Sequence, residues 1–213
     1  MSRFFATFFI IIIFILWYAY ERNKATRIAR KNSEEFWELE QRANSTRKKS
    51  LDGLKKITIP LDKLPFLDTR DEKLNEYQDF VKQLSESDIY NLTGISNTDL
   101  KLTYGAPNFS YLSQCDQNFI ELARTLNLWA KRLLELSCEK EAQTVLEFAI
   151  DCKSDVSSTY EMLSSLYVSQ KKPDKIQYLM EVAESLDTLL KPQILSKLQQ
   201  AYLDSGSGFE DIF

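Results

Sequence analysis

One pattern of large and small residues occurs twice in this 213-residue chain, 34 positions apart. The first copy runs Leu126, Trp129, Ala130 and Leu133, then Ala142, Leu146 and Ala149. The second runs Tyr160, Leu163, Ser164 and Tyr167, then Ile176, Met180 and Ala183. Within each copy the spacing is helical, broken once by a polar turn at Ser137–Glu141 and again at Gln170–Asp174. Each copy therefore predicts two helices joined by a turn. The large residues form the stripe that each helix must bury. Ala130 and Ser164 let the two helices of a pair approach, and Ala149 and Ala183 sit where the next helix crosses. A plain helical bundle with coincidental spacing is the alternative.

The seven positions resemble the tetratricopeptide repeat, whose period is 34 and whose pattern is large-x2-Leu-Gly-x2-Tyr followed by Ala-x3-Phe-x2-Ala. The turn glycine of that family is absent, and its helix-ending proline is replaced by Ser154 and Thr188. The resemblance implies that a peptide lies along the face made by the first helix of each pair. The matching outward positions are Arg124, Asn127, Lys131 and Leu134, then Ser158, Glu161, Ser165 and Val168. The family's carboxylate clamp is matched only at Asn127 and Lys131, and Met162 occupies another clamp position. A generic protein or peptide groove is what the resemblance leaves.

Charge divides the chain. Residues 1–50 hold 10 Lys and Arg against 5 Asp and Glu, and residues 51–213 hold 17 against 26. The acidic body argues against nucleic acid as a partner. The basic excess flanks an uncharged run over 4–20, which ends in Trp17, Tyr18 and Tyr20. That run reaches the short end of what spans a bilayer, and its bulky end is unlike a signal-peptide cleavage site. The sequence predicts an uncleaved transmembrane helix. Arg22, Lys24, Arg27, Arg30 and Lys31 follow it and place the remaining chain in the cytoplasm.

Residues 21–50 read as a charged juxtamembrane helix that ends near Ser50–Gly53, and 51–69 as a linker strapped down by Ile57, Ile59, Leu61, Leu64, Phe66 and Leu67. Residues 70–112 read as a helix followed by a loop-rich wrap over the end of the repeats. Asp68 or Thr69 is expected to cap the helix, and Asn97, Thr98 or Asp99 a shorter one. Residues 113–204 are the repeats, closed by a last helix whose Leu195, Leu198 and Tyr202 take the repeat spacing one residue late. Residues 205–213 are a flexible tail.

The chain contains no histidine, so Ser–His, Cys–His and His-ligated metal sites are ruled out. It has no glycine-rich phosphate loop, and Cys115, Cys138 and Cys152 form no CxxC pair. The resulting expectation is an all-α, single-pass membrane protein with a short repeat domain. It would be non-catalytic, use no cofactor and bind a protein or peptide. Two alternatives share these features: a helper of secretion or envelope assembly on the outer face, and a structural subunit without a groove.

Overall fold

A computed structural model describes residues 2–205, with side chains from Phe14 on except at Ile28. The fold is all-α: among the described residues there is no strand, only an isolated antiparallel bridge between Lys56 and Tyr90. The helices are α1 (Ser2–Asn44), α2 (Glu72–Leu84), α3 (Asn97–Tyr104), α4 (Phe109–Glu135), α5 (Glu139–Asp151), α6 (Ser157–Ser169), α7 (Pro173–Glu184) and α8 (Lys191–Asp204), with a 3-10 turn at Ala106–Asn108. They form two compact units. The first combines residues up to Ser50 with Ser96–Phe109, and the second combines Leu51–Ile95 with the chain from Ser110 on.

In the first unit, α1 is continuous across residues 4–20 and beyond. The expected transmembrane anchor is corrected: among the described residues no helix is long and apolar enough to cross a membrane. The side chains of that apolar run are described over Phe14–Tyr20. The rest of that run lies outside the residues whose side chains are described. From Glu21 onward the helix is charged, with Arg30–Glu34 and Lys31–Glu35 paired one turn apart.

α1 ends at Asn44 rather than near Ser50. The hydroxyls of Ser45 and Thr46 both donate to the Arg42 carbonyl, each at 2.9 Å. Side chains thus take up a carbonyl left without a partner at the helix end. α3 packs on this end of α1 and covers Ala43. Ser96 caps α3, one residue before the expected Asn97–Asp99, by accepting from the Asp99 amide at 3.1 Å. The segment after α1 is then tied to the end of α3. Lys49 N donates to Tyr104 O at 3.0 Å, Ala106 N to Thr46 O at 3.1 Å, and Asn108 Nδ2 to the carbonyls of Lys49 and Tyr104, both at 2.8 Å. Residues 96–109 therefore belong with α1 in the first unit.

The second unit holds the main core. Ile59 and Leu64 of the extended strap are buried in it, and Phe66 lies against Trp129 at a ring-centroid distance of 5.2 Å. Leu61 points out, contrary to expectation. α2 is capped by Asp71, beyond the expected Asp68 and Thr69, with Leu74 N donating to Asp71 Oδ1 at 2.8 Å. Its buried Gln78 bonds both the amide and the carbonyl of Leu67, at 2.5 and 3.0 Å, so a polar side chain inside the core is satisfied by the strap.

The 34-residue period extends to the helix boundaries. α5 and α7 begin at 139 and 173, and α6 and α8 at 157 and 191. Of the fourteen pattern residues all are buried except Met180, which is half-buried against the core. The last helix is in step, not one residue late: Ile194 and Leu198 are buried at the positions of Tyr160 and Ser164, while Leu195 and Tyr202 are only half-buried. Leu198 thus stands where the earlier copies have Ala130 and Ser164. α4 itself begins at Phe109, four residues before the expected Ser113.

Candidate functional site

The expected groove positions divide into three groups. Arg124, Lys131, Ser158 and Ser165 are exposed. Asn127 and Glu161 instead hold helices together. Asn127 Nδ2 donates to Ser158 Oγ at 2.9 Å and to Thr159 Oγ1 at 3.0 Å, linking α4 to α6. Glu161 accepts from Lys197 and links α6 to α8. Leu134 and Val168 are half-buried and packed on the core. Ser165 Oγ donates to the Glu161 carbonyl at 2.8 Å, one turn back.

A hollow of about 370 Å³ is lined by Leu134 at the end of α4, Glu139 at the start of α5, and Glu161, Met162, Ser165, Leu166 and Ser169 of α6. Three of the expected positions, Leu134, Glu161 and Ser165, meet there. Met162, Leu166, Glu139 and Ser169 were not among the sequence candidates. Met162 and Leu166 flank Glu161 and Ser165 on the same turns of α6, which is the signal that would have found them. Arg124 and Lys131 lie outside the hollow on the same face of α4 and make no ion pair among the described residues.

Other polar groups serve the fold. Arg132 holds Asp71 through its Nε and Nη2, at 3.2 and 2.5 Å, joining α4 to the cap of α2. That guanidinium, with the Leu74 amide, keeps the Asp71 carboxyl below its ordinary range. Asp88 receives Lys56 at 2.5 Å and the Tyr111 hydroxyl at 2.6 Å, and both contacts lower its pKa. Cys115 and Cys152 are buried, and burial raises both thiols, that of Cys152 to about 12. Burial there favours the uncharged thiol. Among the described residues there is no group of three His, Cys, Asp or Glu that would hold a metal ion.

No protein-family model matches the chain, and no curated protein or solved structure matches it. The resemblance to an anchored tetratricopeptide-repeat protein is corrected accordingly. What stands is an all-α fold whose 34-residue recurrence is structural as well as sequential. The membrane as a partner, the cytoplasmic single-pass localisation and the membrane-anchored form of the function fall with the anchor. No relative supplies a protein partner that would carry over to this chain.

Proposed function

We propose that this chain is a non-catalytic helical-repeat binding module that takes an extended peptide segment across α4 and α6. The observation that carries this reading is the hollow beside Leu134, Met162 and Leu166, with two cations on the same face, Arg124 and Lys131, that have no partner in the described structure. An apolar recess rimmed by polar groups is the common form of a binding site. Free cations beside it favour a segment with acidic residues flanking an apolar one. Asn127 and Glu161 act here as struts that fix the spacing of α4, α6 and α8. The eight positions drawn from the sequence thus separate into contact residues (Arg124, Lys131, Leu134, Ser158, Ser165, Val168) and these two struts.

Selection from a random peptide library displayed on phage tests this. The full chain should enrich acidic peptides with an apolar residue. Arg124→Glu, Lys131→Glu and Ser165→Arg, combined in one variant, should lose those peptides while keeping the helical circular dichroism spectrum. Failure to enrich any sequence would overturn the reading in favour of a structural subunit. Equal binding by the variant would move the site elsewhere.

A further inference from the structure

A second depression, of about 340 Å³, lies on the other end of the helices, where α5 and α7 finish. Its walls are fixed by two hydrogen-bonded ties, and a close approach adds to them. The strap is held by Ile57 N donating to Ile89 O at 2.9 Å. The turn after it is held by Asn91 Nδ2, which donates to the carbonyls of Cys152 and Lys153 at 3.1 and 3.2 Å, while Asn91 Oδ1 accepts from Thr93 N at 3.0 Å. Gly94 (φ +86) then passes so near the end of α7 that a Cβ there would lie 2.5 Å from Asp187 Oδ2. The cleft is therefore preformed, with a size at the lower end of small-molecule sites, roughly 300–1,000 Å³.

Its chemistry is two-sided. Leu54, Ile57 and Leu186 give an apolar lining, continued by the neutral Cys152 thiol. Lys55 and Lys153 stand on the rim, and so do Asp151 and Asp187. Among the described residues none of these four makes an ion pair or a side-chain hydrogen bond, although both signs of charge share one cleft. They come from three different segments: the strap, the end of α5 and the turn after α7. A phosphate would meet Asp151 and Asp187, and a bare metal ion would meet the two lysines. A molecule with one charge of each sign and an apolar body satisfies the whole set.

We infer that the cleft between the Leu54–Ile57 strap and the ends of α5 and α7 binds a small zwitterion with an apolar body, of amino-acid or dipeptide size. Lys55 and Lys153 would receive its carboxylate, Asp151 and Asp187 its ammonium, and Leu54, Ile57 and Leu186 its side chains. This site is distinct from the α4/α6 face and does not rest on the peptide reading.

Calorimetric titration of the full chain with leucyl-leucine, read alongside amide chemical shifts, tests it. Leucyl-leucine should bind saturably and shift Asn91, Lys153 and Asp187. Two controls remove one half of the chemistry each: N-acetyl-leucine amide carries no charge, and glycyl-glycine has no apolar body. Both should bind about tenfold more weakly or worse, as should leucyl-leucine to Lys153→Met and Asp187→Asn, since each removes a charged partner. Arg124→Glu and Lys131→Glu should leave this binding unchanged. The assignment is overturned by absence of saturable binding, by equal affinity for N-acetyl-leucine amide, or by binding that both cleft variants retain.

Discussion

Ser137 and Lys171 stand 34 residues apart and both take the left-handed backbone conformation, with φ 61 and 54, at the ends of α4 and α6. Their surroundings match bond for bond. Cys138 N donates to Leu133 O and Lys172 N to Tyr167 O, each at 2.9 Å. Ser137 N donates to Leu134 O and Lys171 N to Val168 O, each at 3.0 Å. This closure, in which two amides fold back on the last turn, usually has glycine at the left-handed position. Lys153, φ 57, closes α5 the same way. The chain thus keeps the turn geometry of the repeat without the glycine that would announce it.

Each of these side chains carries a cost in that conformation, about 1–2 kcal/mol for an ordinary L-residue. Lys171→Gly should therefore stabilise the second unit, by up to about 1 kcal/mol once the greater freedom of glycine in the unfolded chain is subtracted. Lys171→Val should destabilise it, because a β-branched side chain tolerates positive φ least. Urea denaturation of the two variants beside the parent reads both signs. Destabilisation by glycine would mean that the turn is not left-handed.

Gly105 is a different case, since its neighbours leave no room for a side chain. With φ +92, a Cβ there would sit 2.3 Å from the Arg47 carbonyl oxygen and 2.8 Å from Lys48 Cα. Both are backbone atoms of the segment that Asn108 fastens to the end of α3. Gly105→Ala should push that segment away, at a cost of order 1–3 kcal/mol. Amide exchange at Lys49 and Ala106 should accelerate first, because their hydrogen bonds span the contact. Unchanged exchange at these two amides would contradict the packing.

Acid should weaken the ties that fasten α2, α3 and the turn carrying Asp88. The carboxyls of Asp71, Asp88 and Glu40 are all held below their ordinary values, by Arg132, by Lys56 and Tyr111, and by Thr98 and Lys101 respectively. A lowered folded pKa gives stability that is present above the unfolded carboxylate range, near pH 4, and is lost as pH falls through the folded values. Asp116 has the opposite sign, because burial raises it, so its protonation relieves the fold as pH drops. Stability should fall below about pH 4, and Asp71→Asn should flatten that fall. A parent curve with no acid limb would show that the ion pairs do not form.

The repeat was legible because its signal is local: apolar residues at helical spacing, recurring at one period. Trp129, Leu163 and Ala149 are buried where that spacing puts them. The boundaries were less legible because they depend on hydrogen bonds across the chain. Asp71 caps α2 while also receiving Arg132, 61 residues away, and no local pattern distinguishes it from Asp68. Gln78 looks like a surface residue until the Leu67 backbone arrives to bond it. At the candidate groove Arg124 and Lys131 are exposed. The outward spacing did not reveal that Asn127 and Glu161 face neighbouring helices, because that depends on which helix lies alongside. The zwitterion cleft was not visible at all: Lys55, Asn91, Asp151 and Asp187 come from four separate segments.

The register of α4 decides both the repeat packing and the placement of its outward residues. Ala130 and Ala149 are fully buried while Lys131 is exposed. Matched thermal melts of Ala130→Leu, Ala149→Leu and Lys131→Ala measure this directly. Added methylenes in a filled core cost about 1–3 kcal/mol, whereas truncating an exposed lysine changes stability by roughly 0.5 kcal/mol or less. The two leucine variants should therefore melt clearly below the parent, and Lys131→Ala should melt with it. If Lys131→Ala falls as far as Ala130→Leu, the helix is rotated, and the binding face assigned to Arg124, Lys131 and Leu134 is wrong with it.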